Sequence, residues 1–287
     1  MADSKKTVLV TGATGHQGGA VASELLSRGG YDVRAMTRKP DGEKARELRS
    51  RGAEVVVGDL NDEASLRKAM QGAWGVFAVQ NTWEAGIEGE EEQGHRQARL
   101  ARDAGVQHYV YTSVGSADRK TGIPHFENKS RIEGTVRSVG FPSYVIIRPV
   151  FFMENFLSPW FKPAIDQGQL MMAIKPDTSL QMIAVGDIGK YGRWAFDEHD
   201  RLKGREIDIA GDSKTMPETA RIISRAAGHE VAFAPPPIED VRKGSADFAS
   251  MLEWFDRVGY DADVPGTSRE SGIRPTTLEE WASRQKW

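Results

Sequence analysis

The chain has 287 residues and a net charge of -3; 39% of its residues are hydrophobic and 28% are charged. These proportions are typical of a globular protein and exclude the membrane and fibrous classes. The absence of a basic run excludes a face for direct nucleic-acid binding, and the absence of cysteine excludes disulfides, thiolate chemistry and cysteine metal sites.

The N-terminal sequence MADSKK lacks the apolar segment of a signal peptide. No apolar run reaches the roughly 18 residues that a membrane span needs. We therefore expect a cytoplasmic protein with no membrane contact, and we predict no metal site.

Glycines with a distinctive spacing follow the first predicted strand, residues 7–11. One allows a sharp turn, one lets the backbone approach a pyrophosphate, and one lets the next helix pack against the strand. N–H groups at the helix start would then face the phosphates. An ordinary glycine turn is the alternative, but the strand, the helix and a second strand about 20 residues on favour dinucleotide binding. The predicted contacts here are Gly12, Thr14, Gly15, His16, Gln17 and Gly18.

The residues after the second predicted strand, 32–36, decide which dinucleotide fits. An NAD site usually has a carboxylate here for the ribose 2′-hydroxyl, whereas a 2′-phosphate needs a cation. The sequence has Arg38 and Lys39 and no acid at this place, which favours NADP(H). The alternative is that Arg38 is a solvated residue at a strand end.

The third predicted strand, residues 54–57, ends close to Asp59 and Leu60. An acid at the carboxyl end of this strand can accept a hydrogen bond from the adenine amino group. We therefore assign Asp59 and Leu60 to the adenine end of the site.

The fourth predicted strand, residues 75–79, is followed by Gln80 and Trp83. Open α/β sheets bind ligands outside the carboxyl ends of their strands, so these two side chains should border the nicotinamide half of the cleft. Ordinary packing is the alternative for Trp83. The acidic stretch 84–92 is predicted to be a solvated loop that leads to a helix starting near Gln93.

The alternation of strands and helices predicts the α/β class, with a Rossmann-type doubly wound parallel sheet in residues 1–150. Residues 184–212 return to this NAD(P)-binding domain. Residues 151–183 and 213–287 form a smaller C-terminal α+β lobe, expected over the cleft, for a substrate or partner. Further predicted elements are strands at 108–112, 144–147, 206–210 and 231–233 and helices at 43–51, 63–70, 127–138, 187–198, 217–227, 248–258 and 278–283.

The smaller lobe begins with the apolar and aromatic segment FFMENFLSPWF, and Met171, Met172 and Met182 follow it. Such side chains can contact a flat substrate. The alternative is that they form the core of the lobe.

Several ordered motifs together resemble one family. TGATGHQGG, AMTRKP, VVVGDLND, FAVQNTWE, HYVYTSVGSA, HFENKSRIE and IIRPVFFMENFL are similar to the NmrA-like branch of the atypical short-chain dehydrogenases, continuously from about residue 7 to residue 157. The resemblance is closest to NADP(H)-binding redox sensors of the NmrA and HSCARG type. NmrA-like quinone reductases and azoreductases are near relatives.

The resemblance implies catalytic positions. Typical short-chain dehydrogenases use a serine after the fifth strand, then a tyrosine that donates a proton and a lysine that holds the nicotinamide ribose. Carried over to this sequence, Ser113 occupies the serine position and Lys129 the lysine position, which also makes Lys129 a cofactor ligand. His125 stands where the tyrosine would be.

The missing tyrosine separates two functional hypotheses. Beside a lysine ammonium the cationic form of a histidine is disfavoured, so a tyrosine-type carbonyl reductase is in doubt. The first hypothesis is therefore a redox sensor that reads the NADPH to NADP ratio with little or no dehydrogenase activity. The alternative is an NAD(P)H-dependent oxidoreductase of quinones or similar flat acceptors, whose products need a positioned acid less. The alternative for His125 itself is a residue that caps the helix start.

The expected partners follow from these hypotheses. They are a dinucleotide, a flat aromatic or quinone substrate, a regulatory protein, and a second copy of the chain in a homodimer. The sensors that the chain resembles tend to have further cations after the second strand, whereas this sequence has Asp41 and Glu43 before Lys44. NADP(H) should still be preferred, with use of NAD(H) as well.

The assignment of Arg38 gives a first test. Arg38→Glu should weaken NADPH binding by roughly 1–3 kcal/mol and spare NADH, because only NADPH carries the 2′-phosphate. Titration of both dinucleotides followed by tryptophan fluorescence measures this. An unchanged NADPH to NADH preference would contradict the assignment.

Overall fold

The computed structural model describes residues 5–287, so the first four residues of the MADSKK terminus lie outside it. No helix within this range is both long and apolar enough to cross a membrane. In chain order the elements are β1 (Lys6–Val10), α1 (His16–Arg28), β2 (Tyr31–Thr37), α2 (Glu43–Ser50), β3 (Glu54–Val57), α3 (Glu63–Met70), β4 (Gly75–Ala78), α4 (Thr82–Asp103), β5 (His108–Thr112), α5 (Pro124–Ser138), β6 (Ser143–Pro149), β7 (Phe151–Phe152), α6 (Lys162–Asp166), β8 (Gln169–Leu170), β9 (Ser179–Ile183), α7 (Val185–Asp197), β10 (Arg205–Ile209), β11 (Asp212–Thr215), α8 (Met216–Ala227), β12 (Ala232–Phe233), α9 (Ile238–Gly244), α10 (Ala246–Arg257), α11 (Val264–Ser271) and α12 (Leu278–Ala282).

A seven-stranded sheet has the order β10-β6-β5-β4-β1-β2-β3. Strand β1 pairs in parallel with both β2 and β4, and β5 pairs in parallel with both β4 and β6. The chain first builds outward from β1 to β3 and then continues on the other side of β1, which makes the β1/β4 boundary the switch point of a doubly wound sheet. The predicted α/β class with a Rossmann-type sheet is confirmed.

The central strands β4 and β5 are buried along their whole length, as expected where both faces of a sheet are covered. Tyr109 and Phe141 stack with ring centroids 4.5 Å apart in the same core. Continuous apolar runs of this kind gave the predicted strands at 54–57 and 108–112, which coincide with β3 and β5.

The prediction of a solvated loop at residues 84–92 is wrong, because this stretch is part of α4. The side chain of Asn81 caps the helix by accepting a hydrogen bond from the Trp83 N–H at 3.1 Å. Gly86, with φ 75° and ψ 170°, separates a first turn from the main helix. The main helix buries Glu90, whose carboxylate is paired inside the protein. A partner distant in sequence therefore stabilises a segment whose charge and glycine content suggested a loop.

The chain divides into two compact units. Unit 1 comprises residues up to Val114, Asn128–Arg148 and Ile188–Ile207, and unit 2 comprises Gly115–Glu127, Pro149–Asp187 and Asp208–Trp287. Residues 188–207 thus belong with the large sheet, close to the predicted return at 184–212, while 115–127 group with unit 2. The roles of the two parts as cofactor domain and substrate lobe stay a prediction.

Unit 2 contains two small sheets with the orders β11-β9-β7 and β12-β8. Much of its aromatic segment is core: Phe151, Phe156 and Phe161 are buried and pack with ring centroids 5.8 to 6.3 Å apart. Met172 and Met182 are buried as well. For these five residues the structure supports the core alternative over contact with a substrate.

Helices α4 and α5 approach closely at Gly94, and this contact gives a stability test. A Cβ on Gly94 would lie 2.6 Å from Cδ1 of Ile132. We expect Gly94→Ala to lower the free energy of unfolding by about 1–3 kcal/mol through overpacking. The matched control is Gly134→Ala on α5, where the added methyl group meets no atom within 4 Å and should raise stability by about 0.5–1 kcal/mol. Urea unfolding measures both, and a Gly94→Ala variant as stable as the wild type would contradict the close contact.

Candidate functional site

The turn after β1 is held between two strands by Thr11. The Thr11 hydroxyl donates to the Phe77 carbonyl at 3.2 Å and accepts from the Val79 N–H at 3.1 Å. Gly12 has φ +58°, a left-handed conformation that favours glycine, and a Cβ there would lie 2.7 Å from Cγ1 of Val79. The Gly15 N–H donates back to the Gly12 carbonyl at 2.8 Å and closes the turn.

Helix α1 starts against this turn with almost no room between them. A Cβ on Gly18 would lie 2.4 Å from the Gly12 carbonyl oxygen and 2.5 Å from that of Thr11. Gly15 is the N-cap and, lacking a side chain, makes no side-chain capping hydrogen bond, so the N–H groups at the start of α1 remain available to an anion. A glycine-lined turn in front of a helix N-terminus fits a pyrophosphate group.

Arg38 and Lys39 are exposed directly after β2. The Lys39 N–H donates to the Thr37 hydroxyl at 3.1 Å, and the Thr37 and Thr14 hydroxyls lie 3.4 Å apart. The Arg38 guanidinium forms an ion pair with the carboxylate of Glu84. This partner was not predicted from the sequence, because Glu84 lies in the stretch that was expected to be a loop.

The first turn of α1 interacts with other parts of unit 1. Burial lowers the pKa of His16, and the positive charge of Lys44 lowers it further. The side-chain Oε1 of Gln17 accepts from the Thr112 hydroxyl at 2.6 Å. This bond ties α1 to the end of β5.

Asp59 and Leu60 form a turn after β3. The Asp59 carboxylate accepts from the Asn61 N–H at 2.8 Å, and the Leu60 carbonyl accepts from Arg96 at 2.9 Å. The Asn61 side chain in turn accepts from Gln93 at 3.1 Å. The predicted adenine end is thus fixed to α4.

Gln80 lies deeper than the sequence suggested. Its side chain is buried and its Nε2 donates to the Gln97 oxygen at 2.5 Å, while Gln97 donates to the Thr11 hydroxyl at 3.2 Å. These bonds connect the turn after β1 to α4. Trp83, by contrast, is 66% exposed and lies outside the core.

Lys129 is held by a buried carboxylate that the sequence analysis did not identify. Its Nζ donates to Oε1 of Glu90 at 2.6 Å. Oε2 of Glu90 accepts from Asn128 at 2.8 Å and from the Thr82 hydroxyl. Burial raises the pKa of Glu90, but the charge of Lys129 and these hydrogen bonds outweigh burial, so the pKa of Glu90 lies below its ordinary value. The ammonium group is thereby fixed in one place.

The signal for Glu90 is present in the sequence, although it is weak. Four buried residues of α4, Glu90, Gln93, Gly94 and Gln97, recur at helical spacing and form one face. Because three of these residues are polar and one is glycine, the face does not register as a hydrophobic stripe.

Ser113 follows β5 as predicted. Its side chain is buried, and its N–H donates to the Ile147 carbonyl at 2.8 Å. Its hydroxyl oxygen has no hydrogen-bond partner among residues 5–287. A buried hydroxyl in this state fits a group that binds a ligand.

His125 contacts a carboxylate within unit 2. Its Nδ1 lies 2.5 Å from Oδ2 of Asp247, and its backbone N–H donates to Oδ1 at 3.0 Å. Burial raises the pKa of Asp247, but the hydrogen bond from His125 and its charge bring it below the ordinary value. The carboxylate at this helix start comes from Asp247, which sequence reasoning missed because 122 residues separate the pair. His125 and Lys129 are four residues apart on α5.

Three comparisons with known proteins extend these observations. The model of the NmrA-like family matches residues 4–282. The NmrA-like family domain-containing oxidoreductase FrzB of Cladobotryum sp is 37% identical over 82% of this chain and 81% of its own. The structure of NADPH-dependent quinone oxidoreductase QOR2 of Escherichia coli with NADPH has a TM-score of 0.82 at 24% identity, covering 96% of this chain and 98% of its own. The negative transcriptional regulator NmrA in complex with NADP has a TM-score of 0.76 at 20% identity, covering 98% and 95%. Both solved structures show the shared fold.

The buried pair of Glu90 and Lys129 makes a testable contribution to stability. Glu90→Gln leaves the Lys129 ammonium without its counter-charge and should lower the free energy of unfolding at pH 7 by about 3 kcal/mol. Because the pKa of Glu90 is lower in the folded protein, this stabilisation is present above the ordinary value of 4.5 and is lost as the pH falls through the folded value. The difference between variant and wild type should therefore shrink in acid.

Urea unfolding at a series of pH values measures this difference. Glu92→Gln is the matched control, since Glu92 is exposed on the same helix and its replacement should change stability by no more than about 0.5 kcal/mol. A Glu90→Gln variant that matches this control at pH 7 would contradict the pairing.

Proposed function

Since the chain belongs to the NmrA-like family, we propose that it binds a nicotinamide dinucleotide, preferably NADP(H), and reduces a quinone or similar flat acceptor. The observation that carries the reductase proposal is the pairing of His125 with Asp247. The name of the relative FrzB, an oxidoreductase, supports the same reaction class.

The residues of unit 1 fit the two ends of the cofactor. The turn at Gly12 and the start of α1 fit the pyrophosphate, and Arg38 would bind the 2′-phosphate. Lys129 would hold the nicotinamide ribose, and the buried Glu90 would keep its ammonium in place. A Cβ at Gly12 or Gly18 would collide with neighbouring protein atoms, so the close packing of the turn against α1 requires glycine at both positions.

A bound NADPH supplies a hydride, so the protein has to orient the acceptor and provide a proton. His125 is our candidate for the proton donor. The Asp247 carboxylate lies against Nδ1, and we assign the transferred proton to Nε2. A carboxylate in this position fixes the orientation of the ring.

Quinones are the acceptors that suit this arrangement best. The oxyanions formed by hydride transfer to a quinone are comparatively stable and can take protons from water. A positioned acid is therefore less important for a quinone than for a carbonyl acceptor, and His125 suffices. Trp83, in the first turn of α4, is 66% exposed, and an aromatic ring of this kind can stack against a flat acceptor.

The second candidate function is a redox sensor with a regulatory protein partner. Histidine in the tyrosine position favours it, as does the similarity in fold to the regulator NmrA. A sensor requires different affinities for NADPH and NADP, because a ligand pair with equal affinities shifts no population.

One sample can separate the two functions. NADPH, NADP and NADH are titrated by tryptophan fluorescence, and NADPH oxidation is then followed with a panel of quinones by loss of the nicotinamide absorbance. No turnover across a broad panel would contradict the reductase. Equal affinities for NADPH and NADP, with no change in assembly measured by light scattering, would contradict the sensor.

The proposed donor gives a further prediction. His125→Gln should lower kcat by about 10–100-fold with carbonyl acceptors and by less with quinones, because general acid catalysis contributes least where the product anion is stable. Asp247→Asn should lower kcat to an intermediate extent. The dissociation constant of NADPH should stay within about twofold of the wild-type value in both variants, since neither residue is assigned to the cofactor. Equal kcat values in all three proteins would exclude His125 as the donor.

A further inference from the structure

We propose that Glu84 is a specificity-determining residue of the cofactor site, where it competes with a 2′-phosphate for Arg38 and offers its carboxylate to a 2′-hydroxyl. This inference rests on the proposed binding of a nicotinamide dinucleotide. In this role Glu84 limits how strongly the protein prefers NADP(H) over NAD(H).

The ion pair lies across the end of the strand that precedes the phosphate turn. Arg38 follows β2 directly, Glu84 lies in the first turn of α4 after β4, and β1 is the strand between β2 and β4. The bond from Arg38 Nη2 to Glu84 Oε1 therefore passes over the carboxyl end of β1. Ligands of open α/β sheets bind at this edge.

The local backbone places Glu84 there. The N–H groups of Glu84 and Ala85 donate to the Asn81 carbonyl at 3.1 and 3.0 Å, which closes a single helical turn. Gly86 then leaves the helical conformation with φ 75° and ψ 170°. The first turn of α4 is therefore separate from the main helix. The Thr82 hydroxyl donates a hydrogen bond to the buried Glu90 and holds this turn in place.

The chemistry of the pair distinguishes the two cofactors. A guanidinium binds carboxylate and phosphate through the same N–H donors, so a 2′-phosphate has to displace Glu84 or share Arg38 with it. A second negative charge beside the phosphate also repels it. A 2′-hydroxyl, by contrast, can donate a hydrogen bond to a carboxylate, which is the usual interaction in NAD sites. Glu84 supplies from the β4 side the acid that is absent after β2.

Both side chains are accessible to a ligand. Arg38 is 59% exposed and Glu84 is 53% exposed. An exposed ion pair contributes little to folding, so its variants should fold like the wild type.

The test compares Glu84→Gln with Glu88→Gln. Glu88 is an exposed residue of the same helix, and its replacement makes the same change in net charge. We expect Glu84→Gln to tighten NADPH binding by about 3–10-fold and to weaken NADH binding by about 2–5-fold, the changes that correspond to one exposed charged interaction. Glu88→Gln should alter neither dissociation constant by more than about twofold.

The same measurements in an Arg38→Gln background examine the competition itself. Without Arg38 there is nothing to compete for, so most of the gain in NADPH affinity from Glu84→Gln should disappear. An equal gain in that background would overturn competition for Arg38. An NADPH to NADH ratio in Glu84→Gln within twofold of the wild type would overturn the role of Glu84.

These outcomes are distinct from a failure of the proposed function. If Arg38→Gln weakens NADPH binding while Glu84→Gln has no effect, the cofactor assignment stands and the inference about Glu84 is wrong. If the wild type binds neither dinucleotide, the proposed function is itself wrong.

Discussion

In unit 1, the arrangement of α4 and α5 depends on the need to pair a buried charge. Glu90 is completely buried, and Lys129, Asn128 and Thr82 supply the hydrogen bonds that make its ionised form tolerable. These donors come from both α4 and α5, so the two helices have to stay in one register. Gly94 permits the close approach of the helices one turn further along. The position of Lys129 is therefore set by the hydrogen bonds and the counter-charge that the buried Glu90 carboxylate requires.

The sheet was predictable because its information is local. Each strand is a short run between turn residues, and the central strands β4 and β5 are buried along their whole length. The glycines after β1 were equally readable, since Gly12 and Gly18 occupy places where a Cβ would collide with neighbouring atoms. The second half of α4 was predicted as a helix starting near Gln93, but its first half was not, because Gly86 and Gly89 disfavour a helix until burial against α5 outweighs that preference.

The residues of the candidate site were likewise only partly predictable from the sequence. Arg38, Ser113 and Lys129 could be proposed from their positions after strands or within a motif. Their partners could not, because contact in the folded chain joins residues far apart in sequence: 46 residues separate Arg38 from Glu84, and 39 separate Lys129 from Glu90. Neither the hydrophobic periodicity of the sequence nor its motifs indicate such long-range ion pairs.

The first turn of α4 has a mechanical consequence. Thr82 and Glu84 are two residues apart, yet one reaches the buried carboxylate that holds Lys129 and the other reaches Arg38. Because both contacts belong to one helical turn, a backbone shift at Glu84 moves Thr82 as well and so reaches the carboxylate that binds Lys129. Gly86, which leaves the helical conformation, separates this turn from the main helix.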